Sequence, residues 1–519
     1  MKNILFVASE ATPFAKTGGL GDVIGSLPKE LACLDDDVQI SVILPKYKDI
    51  PEELQTKMEY VTNIMTVWIG WRGQYCGLFK LEYGGVTWYF IDNKYYFDRN
   101  GFYGYYDDAE RFAFFCHGVL SMLPHLDTMP DIIHCHDWQS AAIPALLKYS
   151  YRHLIGYEKI RTIQTIHNLA YQGVFPKSVL KDLLGLDFEA FNSDGLEFFD
   201  NVNFLKGGIA FADIVTTVSK SYSQEIQEPY FGEKLDGLLH FRNEDLYGIV
   251  NGLDYNAYDP ARDSEIFLNY TWRATTKRLE NKARLQELLN LPVNKNIPVI
   301  GIVSRLVEAK GFDLIAHVLN EILVKDVQVI LLGAGDYHYE HFFREASYRY
   351  PEKLSANIAF TESLARKIYA GSDMFLMPSK FEPCGIGQLI AMRYGSLPIV
   401  REVGGLKDTV SPYDKISGEG TGFTFQNYNA HEMLAAIDQA LEFYNEKTIW
   451  SKMMKSAMRA DFSWKNSAEE YLKIYDKLKN GVITQPETVV INEREAEAQI
   501  AFAQQAATKT KKKRQTGKK

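Results

Sequence analysis

Short β-branched runs alternate along this chain with longer stretches of helical period. Asn3–Ala8 predicts a strand at the start, and after a glycine-bearing loop Leu20, Val23, Ile24, Leu27 and Leu31 recur at the spacing of one buried helix face. Val38–Leu44, ending at Pro45, and then Asp131–His134, Arg161–Ile166 and Ile214–Val218 predict further strands, each separated by helical or loop segments. Such alternation implies a parallel sheet covered by helices on both faces. The same grammar restarts near residue 297, with a strand at Ile297–Val303, a helix at Phe312–Leu323 and a strand at Val327–Leu332 ending in Gly333-Ala334-Gly335-Asp336. Met374–Met377 predicts another strand, closed by Pro378, and a helix opens near Gly385. The pattern therefore describes an α/β protein of two units, with the seam around residues 245–260, where Asn251-Gly252 marks a turn. Ligands of open α/β sheets bind beyond the carboxyl ends of the strands, so two facing sheets would enclose a deep cleft.

The length agrees with that reading: 519 residues exceed one hydrophobic core, given domains of about 100–200 residues. No basic segment followed by a long apolar core opens the sequence, so a secretory signal is not expected. No run approaches about 18 uninterrupted apolar residues, so no membrane span is expected either. Five cysteines (Cys33, Cys76, Cys116, Cys135, Cys384), odd in number and without a C-x-x-C pair, fit a reducing cytoplasm rather than a disulfide framework or a zinc site. A net charge of −9 gives no general attraction to nucleic acid. The exception is the tail, where Lys509, Lys511, Lys512, Lys513, Arg514, Lys518 and Lys519 crowd together in a run that reads as a disordered, solvated end.

Three segments carry candidate chemistry. Lys16-Thr17-Gly18-Gly19-Leu20-Gly21-Asp22 lies between the first strand and its helix, where glycines let backbone amides approach an anion. It matches neither the dinucleotide fingerprint nor a P-loop. Arg305 and Lys310-Gly311 follow the first strand of the second unit, a fork and a compact cation at a strand's carboxyl end. Phe381-Glu382-Pro383-Cys384-Gly385-Ile386-Gly387-Gln388 opens a helix, and a carboxylate there suits sugar hydroxyls better than phosphate. Cys384, with no histidine nearby in sequence, reads as packing. Asp35-Asp36-Asp37 contains a D-x-D pattern but precedes a strand, away from its carboxyl end, and reads as a solvated loop.

Taken in order, Lys16–Val23, His134-Cys135-His136-Asp137-Trp138, Thr165–Gly173, Val250–Asp254, Val303–Leu306 with Lys310-Gly311, and Phe381–Gly385 resemble the motif set of bacterial glycogen synthases and plant starch synthases, through to about residue 478. The resemblance implies the GT-B architecture: two Rossmann-like domains facing a deep inter-domain cleft, with a last helix, after Asp461-Phe462-Ser463-Trp464, returning to the first. It implies an N-terminal domain over residues 1–248, a nucleotide-sugar domain over 249–460 and a crossing helix over 461–480, and leaves the basic tail over 481–519 uncovered. It further implies transfer of glucose with retention, from ADP-glucose or UDP-glucose to the non-reducing end of an α-1,4-glucan, without metal or other cofactor.

By matched position, His167 contacts the transferred glucose, Asp137 and Asn168 hold its hydroxyls, and Glu382 holds the 3- and 4-hydroxyls. Arg305 and Lys310 bind the diphosphate, with Lys16 and the Gly18 and Gly19 amides closing over it. Asn251, Cys384, Gly385, Ile386 and Gly387 complete the donor side. Glu10, Asp22 and the aromatic run Tyr95, Tyr96 and Phe97 fall on the acceptor side, although so many aromatics serve equally as core. Two positions depart from the family: Gly387 replaces a frequent threonine, and Phe97-Asp98-Arg99 replaces Tyr-Asp-Arg. The competing readings are another GT-B nucleotide-sugar transferase, and a non-catalytic glucan-binding homologue in which charged cleft residues would have decayed. A phosphorylase lacks support because no pyridoxal-phosphate lysine motif is present. No nucleic-acid or membrane partner is expected, and a homo-oligomer stays open.

Overall fold

The structure, a computed structural model, describes residues 2–479. The predicted basic tail lies outside the described residues.

Nine strands form the first sheet: β1 (Lys2–Val7), β2 (Val38–Pro45), β3 (Glu59–Ile69), β4 (Arg72–Tyr83), β5 (Val86–Asp92), β6 (Ile132–His136), β7 (Arg161–Ile166), β11 (Ile214–Thr217) and β12 (Leu246–Gly248). A small antiparallel sheet of β8 (Val174–Pro176), β9 (Glu197–Phe198) and β10 (Asn201–Asn203) stands beside it. Six parallel strands form the other large sheet: β13 (Val299–Val303), β14 (Gln328–Leu332), β15 (Leu354–Asn357), β16 (Met374–Met377), β17 (Leu397–Arg401) and β18 (Phe423–Phe425). Strand order in the first is β12-β11-β7-β6-β1-β2-β5-β4-β3, parallel except that β4 runs antiparallel to both β3 and β5. In the second it is β15-β14-β13-β16-β17-β18. Both large sheets thus change direction of winding, between β1 and β6 in one and between β13 and β16 in the other, and ligands bind at such switch points.

The predicted periodicities are realised. Leu20, Val23, Ile24, Leu27 and Leu31 of the helix Gly19–Leu34 are all buried. Every residue of β14 is buried, as both-face burial of a central parallel strand requires. The hairpin β3–β4 escaped the sequence reading. Its strands are long and mostly polar or exposed on one face, and two register shifts break the alternation of β3.

The final helix, Trp464–Lys479, returns to the first sheet: the Ser467 hydroxyl donates to the Val250 carbonyl at 2.6 Å, and the Tyr475 hydroxyl lies 2.9 Å from His134 Nδ1. Gly252 makes this crossing fit. Its φ is not positive; a side chain there would instead come within 2.5 Å of the Trp464 Cα. The predicted turn glycine is thus a close-approach glycine. Among the described residues no helix is long and apolar enough to cross a membrane.

Candidate active site

The residues singled out in the sequence gather at the two switch points. Glu10 and the glycine loop follow β1, Asp137 follows β6 and His167-Asn168 follow β7; Arg305 and Lys310 follow β13 and Glu382 follows β16. Bonds between side chains and backbone join the segment after β11 to the second cluster and the helix behind it. The Ser219 hydroxyl donates to the Pro383 carbonyl at 2.7 Å, the Ser221 amide to Asp408 at 2.9 Å, and the Gly404 amide to Glu225 at 2.9 Å.

Asp137 sits at φ 55°, a left-handed conformation that costs a non-glycine residue about 1–3 kcal/mol unless its surroundings impose it. Here they do. Its amide donates to the Thr165 carbonyl at 2.9 Å, and its Oδ1 accepts from the His167 amide at 2.7 Å and the Asn168 amide at 3.4 Å. Burial lifts the carboxyl to about 7, against the two amides, which favour ionisation. This pKa lies above the unfolded value, so the folded state holds an extra proton between about pH 4 and pH 7. Asp137 therefore costs stability as pH rises through that window. Asp137→Asn is expected to gain stability relative to wild type between pH 5 and pH 8, read as urea midpoints. A gap that stays constant would show that this carboxyl is not held protonated.

His167 Nε2 lies 3.0 Å from His136 Nδ1, and His136 stacks in turn on His134, with ring centroids 4.2 Å apart. Burial lowers all three imidazoles, His167 to about 3, so they are neutral. His136 Nε2 is buried with no partner among the described residues. An orphaned N–H is costlier than an orphaned lone pair, so His136 carries its proton on Nδ1 and donates it to His167 Nε2. The proton of His167 then sits on Nδ1, a neutral hydrogen-bond donor on a half-buried residue at the end of β7. His136 was missed as a site residue because nothing in sequence places it behind His167; only the adjacency of β6 and β7 does.

In the second cluster the Lys310 ammonium donates to both Glu382 oxygens, at 2.8 and 2.7 Å, and the Ser379 hydroxyl adds a third bond at 2.9 Å. Arg305 is exposed and no described residue accepts from its guanidinium. Gly311, at φ 77°, lets the Lys310 turn press against the Pro378 carbonyl, which a side chain would meet at 2.1 Å. Gly404 and Gly405 clamp the Glu382–Cys384 segment from behind, the Gly405 amide donating to the Glu382 and Pro383 carbonyls at 3.2 and 3.1 Å. These two glycines carry the same strand-to-helix signal as Gly18-Gly19 and could have been found by it. The Cys384 thiol is buried, pushed up to about 12, and faces the Asn251 amide, so it is an inert link between donor-side residues.

Several expectations need correction. The anion cradled by the glycine loop is the protein's own: Glu10 accepts from the Thr17 amide (2.5 Å), the Thr17 hydroxyl (2.7 Å), the Gly18 amide (3.2 Å) and the Tyr103 hydroxyl (2.7 Å). Four donors saturate a carboxylate, so Glu10 shapes the loop instead of binding an acceptor, and the Gly18 amide is not free for phosphate. Lys16 is paired with Asp22 at 2.7 Å. Gly19 does face the second cluster, with Ile386 Cδ1 3.7 Å from where its side chain would begin.

Of the acceptor aromatics, Tyr96 and Phe97 are wholly buried, Tyr96 bonding Glu110 at 2.6 Å, and no sugar can reach either ring. Tyr95 alone is open, at 61% exposure. Arg99 is a clamp, donating to both Asp107 oxygens at 2.6 and 2.7 Å. At Gly387 a side chain would press on Met377 Sδ and Phe375 at 3.3 Å, with the Tyr369 hydroxyl at 3.5 Å, so neighbouring bulk fills the space of the family's threonine. Asp35–Asp37 precede β2, at the opposite end from the site.

Two parallel sheets with polar clusters at facing switch points define a two-lobed, GT-B glycosyltransferase. The family description "Starch synthase catalytic domain" matches residues 3–241, and "Glycosyl transferases group 1" matches residues 287–456. Glycogen synthases of Alkaliphilus metalliredigens and Clostridium acetobutylicum are 53% and 56% identical over 475 and 474 residues, covering 92% and 91% of this chain and 99% of each relative. Among solved structures, the catalytic domain of starch synthase IV from Arabidopsis thaliana, bound to ADP and acarbose, superposes with a TM-score of 0.86 at 33% identity, over 92% of this chain and 99% of that one. The chain belongs to the glycogen synthase and starch synthase family of glycosyltransferases.

Proposed function

We propose that the protein transfers glucose from ADP-glucose, with retention of configuration, to the non-reducing end of an α-1,4-glucan in the cytoplasm. The observation that carries this is the pairing of an unpartnered guanidinium, Arg305, with the Lys310–Glu382 ion pair at the β13–β16 switch point. A leaving diphosphate would draw Arg305 and Lys310 to itself, and Glu382, released from Lys310, would accept the glucose hydroxyls. Concentrated positive charge in a water-poor cleft offsets the charge that develops on the leaving group.

His167 would donate its Nδ1 hydrogen to the sugar. Asp137 commits one oxygen to backbone amides, which disfavours it as a nucleophile and favours attack from the face that the diphosphate leaves. The choice of ADP over UDP takes its support from the ADP-bound starch synthase relative.

Purified protein should incorporate labelled glucose from ADP-glucose into glycogen, in a form released by α-1,4-specific amylase, and at an unchanged rate in EDTA. Incorporation only from UDP-glucose would reassign the donor. Loss in EDTA, restored by a divalent cation, would overturn the metal-free reading. No incorporation from either donor would favour a glucan-binding homologue.

A further inference from the structure

The structure assigns Tyr222 and Glu225 a positioning role in the proposed glucosyl transfer: the helix Lys220–Glu225 is a strut that sets the spacing between the His167 loop and Glu382. The role rests on that reaction, in which His167 and Glu382 must meet one sugar. The helix holds the first cluster through Tyr222, whose buried hydroxyl accepts from the Leu169 amide at 3.1 Å, just beyond His167-Asn168. It holds the second through serines. Ser219, which caps the helix by accepting from the Tyr222 amide at 3.1 Å, donates to the Pro383 carbonyl at 2.7 Å, directly after Glu382. Ser221 grips both oxygens of Asp408, with its amide at 2.9 Å and its hydroxyl at 2.5 Å.

Glu225 completes the grip. Its Oε1 accepts from the Gly404 amide at 2.9 Å, and the neighbouring Gly405 amide donates to the Glu382 carbonyl at 3.2 Å. A side chain at Gly404 would meet that carbonyl at 2.1 Å, so no slack lies between the two segments. Glu225 Oε2 is buried and has no hydrogen-bond partner among the described residues. An unpartnered buried oxygen destabilises the fold, so packing does not account for a carboxylate here; its bond to Gly404 does.

Packing makes the same connection. Leu169, Tyr222 and Ile226 share one hydrophobic core, and Cys384, just beyond Glu382-Pro383, is the one buried residue among the described residues that the second lobe adds to it. The loop after the helix repeats the bridge. The Glu233 carbonyl accepts from the Gln172 side chain at 3.1 Å, while Tyr230 and Phe231 lie against Phe381, with ring centroids 5.9 and 5.7 Å away. Transfer needs groups from both clusters aligned on one reacting centre, and a misplacement of about 1 Å can cost about 10²-fold in rate. A short helix hydrogen-bonded to both clusters fixes that alignment without touching the sugar.

Kinetics and amide hydrogen exchange test the strut together. Tyr222→Phe, which removes only the hydroxyl, and Glu225→Ala should each lower kcat about tenfold. The double variant should lose little more, because either change already uncouples the clusters. Glu225→Gln, which keeps an oxygen for the Gly404 amide, should recover most of the rate. Exchange should rise across the bridge: in residues 381–387 for Tyr222→Phe and in residues 166–173 for Glu225→Ala, with β14 unchanged. Additive losses near hundredfold, single variants at the wild-type rate, or exchange raised only beside the substituted residue or equally throughout would each overturn the strut. A wild-type protein that transfers no glucose, with exchange in the variants still responding across the bridge, would leave the strut standing while the proposed reaction falls.

Discussion

Lys310→Ala is expected to lower kcat for glucosyl transfer by about 10²-fold or more, the usual cost of deleting one preorganised group that meets charge developing in a transition state. The substitution does two things at once, because the ammonium also neutralises Glu382, a carboxylate only 8% exposed. Leaving that acceptor without its cation should cost about 1–3 kcal/mol of stability. The two effects separate in a cycle with Glu382→Gln. The Lys310→Met/Glu382→Gln protein should recover stability toward wild type, since neither partner is then charged, while its kcat stays low. A kcat equal to that of Glu382→Gln alone would mean that Lys310 acts only by holding Glu382. An unchanged rate in Lys310→Ala would remove Lys310 from the mechanism.

Gly252→Val should destabilise the protein by about 3 kcal/mol, the upper end of ordinary overpacking costs. Its side chain would begin 2.5 Å from the Trp464 Cα and 2.7 Å from the Trp464 nitrogen, both backbone atoms that cannot rotate aside. The crossing segment must move, and with it the Leu253 amide bond to the Phe462 carbonyl at 2.7 Å and the Ser467 bond to Val250. Urea midpoints for Gly252→Val and for Gly18→Ala check this, because nothing lies within 4 Å of a side chain begun at Gly18. Similar midpoints for the two variants would show that the crossing gives way freely.

Most of the architecture was legible in local pattern. The helix Phe312–Leu323 and the strands Arg161–Ile166 and Met374–Met377 have the predicted bounds, because apolar period and flanking prolines or glycines define them without help from distant residues. The β3–β4 hairpin was not legible, because an edge hairpin with one exposed face carries little apolar signal.

The site divides in the same way. Sequence alone determined which residue types stand at the carboxyl ends of strands, since strand boundaries and the residues after them are local properties: Arg305, Lys310 and Glu382 could be named from that pattern, and Asp137 and His167 from the motifs that resemble the family's, before any fold was in view. What each one faces is a matter of tertiary structure. Glu10 and Gly18 satisfy each other instead of a ligand; Tyr96 and Phe97 are core although Tyr95 between them and solvent is not; His136 stands behind His167; and Lys310 finds Glu382 across 72 residues. Hydrogen bonds and burial depend on distances between segments far apart in the chain, and no local pattern encodes those distances.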